Sequence, residues 1–355
     1  MPKGKWPDRS WILLLTGVIL VRLSTLQPQW VEQFYSLGVY PYIARFYRAV
    51  TSWVPFSIGD LVYIAAIIWL IRELTRWVVA IRRQGIDRAW LFQKISNYTR
   101  IFLFIYLIFN ILWGLNYNRT GIAGQLGLTI EDSSDIELSM LTDALVTKTN
   151  QLRPTQPAVG FERSARLAQA AYTISSTKYP FLAPRPFSLK PSLFGAIGNY
   201  MGYSGYYNPL TGEGQVNTKV PGFLIPFVAC HEMAHQAGYA RENEANFVGF
   251  LAARESKDSA LLYSTYLNMF LYANGELRRV DSASAKRNMD MLVPGVKKDI
   301  EQYRKWLKSY DTVVGDFVDV FYNQYLKLNE QPVGRRSYNQ VVNWLLAYHR
   351  KYEQL

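Results

Sequence analysis

The sequence predicts a mainly α membrane protein: three N-terminal transmembrane helices followed by an α+β domain outside the cytoplasm with one small sheet. Three observations predict it. Apolar runs cover Trp11–Leu26, Phe56–Ile71 and Tyr98–Leu115, each near the lower length limit for crossing a bilayer. Charge is uneven, with 13 Lys+Arg against 5 Asp+Glu in residues 1–116 and 26 against 22 in residues 117–355. Beyond residue 117 the composition becomes that of a soluble domain, with helical periodicity and few strand signals. The division is therefore a membrane domain over 1–116, with spans at about 11–26, 56–71 and 98–115, and a second domain over 117–355.

The elements follow in chain order. Lys3, Lys5 and Arg9 precede the first span, and Arg72, Arg76, Arg82, Arg83, Arg88 and Lys94 lie between the second and third, whereas residues 27–55 hold only Arg45 and Arg48. Cytoplasmic loops collect Lys and Arg, so the N-terminus and the second loop belong in the cytoplasm and everything after about Asn116 lies outside. Arg22, Asp60 and Arg100 fall within the apolar segments; Arg22 and Arg100 are close enough to their ends to snorkel. No A-x-A-like site follows the first span, which reads as an uncleaved anchor. Residues 30–53, with Trp30, Phe34, Tyr40, Tyr42, Phe46, Tyr47 and Trp53, read as an aromatic helix in the outer interface. Basic residues beside apolar segments serve topology, so nucleic acid is not an expected partner. The bilayer is.

In the outer domain, helical spacing runs through Ile136–Leu152, Glu162–Ser176, Ser259–Leu277, Val296–Ser309, Val313–Leu328 and Tyr338–Tyr352. The clearest strand signal is a hairpin, in which NPLTGEG turns between an aromatic run ending at Tyr207 and the run Gln215–Thr218. The sequence has no internal repeat, no low-complexity tract and no phosphate-cradling glycine loop, and its single cysteine, Cys230, excludes an intramolecular disulfide framework.

The stretch VACHEMAHQAGYARENEANFVGFLAARE, from Val228 to Glu255, carries the chemistry. Pro226 suits the first turn of a helix and Gly238 permits its end. Four residues apart, His231 and His235 project from one face and can present both imidazoles to one Zn2+. Glu232, rotated by about 100°, can reach a water there without ligating the metal, as a general base requires. The bland reading is a helix whose histidines satisfy backbone groups. Chance production of H-E-x-x-H in a chain this long is rare, on the order of one sequence in a hundred. Only Glu232 is charged between Val228 and Gly238.

A third ligand must come from elsewhere. His349, the remaining histidine, lies more than a hundred residues downstream in a basic terminus. After Gly238 a second helix places Glu242 on a face with Ala245, Asn246, Gly249 and Ala253, small enough for close packing on the first. Glu244 shares its face with Val248, Leu251 and Glu255. Glu242 is the preferred third ligand, with Glu244 the alternative, and Asn246 could hydrogen-bond a ligating imidazole. Cys230 points away from the ligand face and reads as a buried structural thiol. Tyr322, Tyr325, Arg336 and Tyr338 are candidates for polarising a substrate carbonyl.

HEMAHQAGYARENEANF resembles the gluzincin metallopeptidases, in which H-E-x-x-H is followed on a second helix by a ligating glutamate in E-x-x-x-D or E-x-x-A-N patterns; Glu242 and Asn246 fill those positions. Departures are the short interval from His235 to Glu242 and Asn in place of the usual Asp. The whole layout, with PFSIGD in the second span, GYYNPLTGEGQVNT, the motif and a late GRRSYNQVV, is similar to a bacterial family of membrane-anchored, zincin-like proteins of unknown function. The resemblance implies a zincin-like fold for the outer domain and Gly214–Thr218 as an edge strand pairing with an extended peptide. It implies a zinc metallopeptidase of the bacterial cell membrane, multi-pass, acting on a peptide or protein substrate. The rival is a non-catalytic zinc-binding sensor on the same scaffold. Eleven residues of motif helix soon followed by Arg241 and Glu242 are too short for an intramembrane protease. Substrate, pathway and oligomeric state leave no mark in the sequence.

Overall fold

A computed structural model describes residues 9–84, 87–131, 134–155, 158–183, 187–312 and 340–353, with isolated positions between 315 and 327. The chain is mainly helical with one three-stranded sheet. On the N-terminal side, α1 is Arg9–Thr25, α2 Tyr40–Thr51, α3 Ile58–Gln84 and α4 Arg88–Leu112. The remaining helices are α5 Asp135–Leu152, α6 Phe161–Ser175, α7 Ile225–Gln236, α8 Glu242–Ala253, α9 Ser259–Val280, α10 Ser282–Met291, α11 Pro294–Ser309 and α12 Val341–Tyr352. The strands are β1 Leu189–Pro191, β2 Gly205–Asn208 and β3 Glu213–Val216.

The apolar segments form helices longer than their runs. α3 continues to Gln84 and α4 begins at Arg88, so the basic loop expected between the second and third spans is mostly helix. Glu73 of α3 accepts from Arg76 (2.8 Å) and from Tyr98 of α4 (3.0 Å), tying the two polar ends together. Among the described residues α4 alone is long and apolar enough to cross a membrane, or two spans exist if α1 and the bent segment Pro28–Thr51 count as one. The expectation of three spans is corrected accordingly. α1 has only 17 residues before the chain turns by 99°, and α3 carries Asp60, Arg72, Glu73 and Arg76 through its length. Large apolar side chains nevertheless face outward along all three, including Leu13, Ile19 and Leu23, Ile68, Leu70 and Ile71, and Phe102, Phe104 and Ile105. Contiguous apolar surface of that extent is what a lipid or protein partner covers.

Residues expected as an interfacial helix do run crosswise to α1. Val31–Val39 is π-helical and passes directly into α2. Pro41 has no N–H to give four residues back, and the register widens just before it, with Tyr40 N donating to Tyr35 O.

The main core is built by α5–α9 and α12, around side chains such as Leu141, Leu145, Tyr172, Phe247, Phe250, Leu267 and Tyr348. The helices expected from periodicity match α5, α6, α9, α11 and α12 to within a few residues. The expected Val313–Leu328 helix lies mostly outside the described residues. α10, SASAKRNMDM, has too weak an apolar stripe to announce itself, burying only Ala285 and Asn288.

The sheet order is β1-β3-β2, β1 parallel and β2 antiparallel to β3. The Gly214–Thr218 edge strand expected from the resemblance is therefore corrected: β3 is central, paired on both sides and buried throughout. Three residues with a lysine and a proline gave β1 no legible alternation. The PFSIGD motif docks α3 onto this sheet. Glu213 accepts from the backbone N–H groups of Ile58 (3.2 Å) and Gly59 (2.6 Å) at the α3 N-terminus, where negative charge is favoured. Asp60 in turn accepts from Leu193 N (2.8 Å) and the Tyr206 hydroxyl.

A second core joins the two sides of the molecule: Val31, Tyr35, Tyr40, Ala44, Trp113, Leu115, Tyr117 and Ala240 pack together.

Candidate metal centre

The motif helix α7 begins with Ile225 and Pro226 in its first turn and is buried along nearly its whole length. Gly238, at φ 93°, turns the chain in the left-handed region that glycine alone adopts freely. α8 then returns across α7. Gly249 makes the crossing close, since a Cβ there would lie 3.3 Å from His231 N.

The return brings three side chains to one point. His231 Nε2 lies 3.1 Å from His235 Nε2 and 3.2 Å from Glu242 Oε2, and His235 Nε2 is 3.6 Å from the same oxygen. A tetrahedral zinc with bonds of about 2.0–2.1 Å separates its ligand atoms by about 3.3–3.4 Å. The three observed distances bracket that spacing. Both imidazoles are oriented from behind: His231 Nδ1 is 2.8 Å from Asn246 Oδ1, and His235 Nδ1 is 2.8 Å from the Tyr239 carbonyl. With Nδ1–H donated outward, the Nε2 of each imidazole in its neutral form carries its lone pair toward the shared point. Two imidazoles and one carboxylate are a donor set that zinc accepts. The residues fit the metal.

The electrostatics agree with that fit. Burial opposes charge on Glu242, yet the two histidines hold its carboxyl well below the usual range. Burial likewise disfavours the His235 cation, but Glu242 outweighs it and raises the group to about 9, whereas burial prevails at His231 and lowers it. The trio draws positive charge to its centre. His231, at 12% side-chain exposure, is its most open member.

Glu232 sits beside the trio, its side chain laid across the sheet. It is buried, Oε2 has no hydrogen-bond partner, and its carboxylate fills the space beside Gly205 of β2, where a Cβ would overlap Oε1. Burial, with the Glu242 charge adding to it, pushes this carboxyl up to about 8. Glu244 goes elsewhere: its Oε1 accepts from Ile122 N (3.2 Å) and the side chain packs on Gly121. Cys230 is fully buried, and burial pushes its thiol up. His349 is exposed on α12. Tyr322, Tyr325, Arg336 and Tyr338 lie outside the described residues.

Sequence reasoning missed what holds the end of α7. The last carbonyls of a helix lack intrahelical donors, and here donors arrive from the N-terminal third of the chain. Trp113 Nε1 donates to His235 O (3.4 Å), Tyr40 Oη (3.1 Å) and Arg48 Nη1 (2.9 Å) to Gln236 O, and Arg119 Nη1 to Gly238 O (3.0 Å). Arg119 is itself clamped by buried Glu32 at 2.5 and 2.8 Å. The Gln236 amide exchanges two bonds with the Ser188 backbone ahead of β1, at 2.6 and 3.1 Å.

A family model described as "Protein of unknown function (DUF3810)" matches residues 35–346. The chain belongs to this family. No curated protein and no solved structure matches it. The match takes in Tyr40, Arg48 and Trp113 as well as the trio and Glu232, so the helix-end donors and the trio fall within the matched residues.

Proposed function

We propose that this protein is a membrane-anchored zinc metallopeptidase of gluzincin type, with a zincin-like domain on the outer side of a bacterial cell membrane. The observation that carries the reading is the triangle of His231, His235 and Glu242, with ligand atoms 3.1–3.6 Å apart and both imidazoles oriented through Nδ1. Zinc bound by those three residues would acidify a water and polarise a peptide carbonyl. A cation held by the trio would favour the ionised form of Glu232, whose unpartnered Oε2 then takes a proton from the attacking water and returns it to the leaving nitrogen. Asn246 and the Tyr239 carbonyl keep the imidazoles in one tautomer throughout. The outward apolar faces of α1, α3 and α4 support embedding in a bilayer, and the basic α3–α4 ends support placing that turn in the cytoplasm.

The test is a pair of measurements on the full-length chain. Wild type should hold about one zinc and cleave members of a diverse peptide library; Glu232→Gln should keep the zinc and lose at least a hundredfold in cleavage. Zinc binding without cleavage in wild type, together with an unaffected phenotype of Glu232→Gln in cells, supports the second reading, a non-catalytic zinc sensor. The donors from the N-terminal third to the α7 end favour that alternative, because they give a metal-dependent change a route to the membrane helices.

A further inference from the structure

Where α1 turns toward Pro28, a cleft of about 540 Å³ opens between the end of α1, the chain leaving α4, and the start of α8. Its walls divide into two kinds. Val18, Ile19, Leu23, Leu26 and Pro28 make an apolar side, while Arg22 and Arg241, from two different elements, line it together with Thr25 and Asn118. Arg241 Nε donates to Tyr117 O (3.0 Å), which fixes the fork. Among the described residues the rest of that fork and the whole Arg22 guanidinium have no hydrogen bond or ion pair; Glu244, buried under Gly121, is the acid whose charge state Arg241 influences. Two like charges converge on one cleft, which favours an anion carrying several acceptor oxygens.

The surroundings define what else that anion carries. Leu15, Ile19 and Leu23 repeat at helical spacing down α1 and are 48–58% exposed, so an apolar stripe leads away from the two arginines along the helix. The arginines sit at the end of α1 from which the chain passes into the metal-centre side, the depth at which headgroup phosphates lie if α1 is embedded. We propose that this cleft binds an anionic phospholipid, its phosphate held between Arg22 and Arg241 and one acyl chain laid along Leu15, Ile19 and Leu23. The assignment rests on the membrane placement of α1 and not on peptidase activity. Arg241 directly precedes Glu242, so the lipid would abut the N-terminus of the helix that carries the third metal-binding side chain.

Native mass spectrometry of the full-length chain in detergent, offered dioleoylphosphatidylglycerol or dioleoylphosphatidylcholine, tests this. Wild type should retain the anionic lipid at least fivefold more than the zwitterionic one. Arg22→Ala and Arg241→Ala should each erase that preference, whereas Arg45→Ala, a cation of α2 outside the cleft, should keep it. Ile19→Trp, which fills the apolar side and leaves both cations, should lower retention of both lipids. Unfolding midpoints close to wild type show that the variants are folded; a variant that unfolds is replaced by Arg22→Gln or Arg241→Gln. Equal retention of the two lipids by wild type, or an unchanged preference in both arginine variants, overturns the phosphate seat. Displacement of the lipid by millimolar inorganic phosphate overturns the lipid in favour of a free-anion site. Loss of both lipids from wild type would instead overturn the membrane placement on which the assignment rests.

Discussion

Glu242 and Glu244 stand two residues apart in the first turn of α8 and face in different directions. Glu242 Oε2 meets His231 Nε2 at 3.2 Å, while Glu244 Oε1 accepts the backbone N–H of Ile122 at 3.2 Å. Two steps along an α-helix rotate a side chain by about 200°, so one of the pair can join the histidines only if the other turns away. Glu242→Gln should therefore weaken zinc binding strongly, because a neutral amide is a poor ligand. Glu244→Gln keeps an acceptor for Ile122 and should leave zinc affinity within a factor of about two. A chelator competition titration measures both. Zinc loss on the second substitution and not the first would reverse the roles.

Asn246 orients His231 without joining the trio itself. Replacing it with alanine removes the acceptor for His231 Nδ1–H and should lower zinc affinity about 10–100-fold. Asn246→Asp restores an acceptor with a stronger charge and should recover the affinity. The same titration reads the pair, and equal affinity in the alanine variant would remove Asn246 from the site.

Gly205 marks where the sheet touches the proposed base. A Cβ at this position would overlap Glu232 Oε1 and lie 3.0 Å from the Gln215 carbonyl, so the carboxylate is the part that must shift. Gly205→Ala should retain zinc and lose at least tenfold in peptide cleavage. Gly275→Ala is the control: nothing lies within 4 Å of its Cβ and it sits inside α9, so it should stabilise by roughly 0.5–1 kcal/mol. Undiminished cleavage in Gly205→Ala would mean that Glu232 does not act from its observed position.

The convergence of His231, His235 and Glu242 was legible because its parts obey local rules. Four-residue spacing puts His231 and His235 on one face, a glycine turn reverses the chain, and small residues on the Glu242 face let α8 approach. Asn246 followed from the same geometry. What stayed illegible was long-range. Nothing near Tyr40, Arg48 or Trp113 signals that they donate to carbonyls 122 to 196 positions later. Strand order was hidden as well, since β1 is three residues long and its parallel pairing with β3 moves the expected edge strand to the centre. Span number failed for a related reason. Apolar content marked α3, but its charged residues and its continuation to Gln84 are set by pairing with α4 through Glu73 and Tyr98.

Dividing the sequence between residues 116 and 117 cuts through this shared packing, and that gives the sharpest prediction. A fragment of residues 117–355 keeps His231, His235, Glu242, Glu232 and Asn246, yet loses Tyr40, Arg48 and Trp113 from the carbonyls of His235 and Gln236. It also strips Glu32 from Arg119, exposing a cation that the intact chain buries. Each buried acceptor left without a donor costs about 1–3 kcal/mol unless water reaches it. The end of α7, including His235, should therefore fray. The fragment should unfold at a lower temperature than the full chain in detergent and bind zinc at least tenfold more weakly. In the full chain, Arg119→Ala should be strongly destabilising, by about 3–5 kcal/mol, because it leaves Glu32 buried without its partner. Adding Glu32→Gln to that variant should recover part of the loss, which a double-mutant cycle reads as coupling between the two positions. A fragment matching the full chain in both unfolding temperature and zinc affinity would show that the donors the N-terminal third sends to α7 do not hold that helix in place.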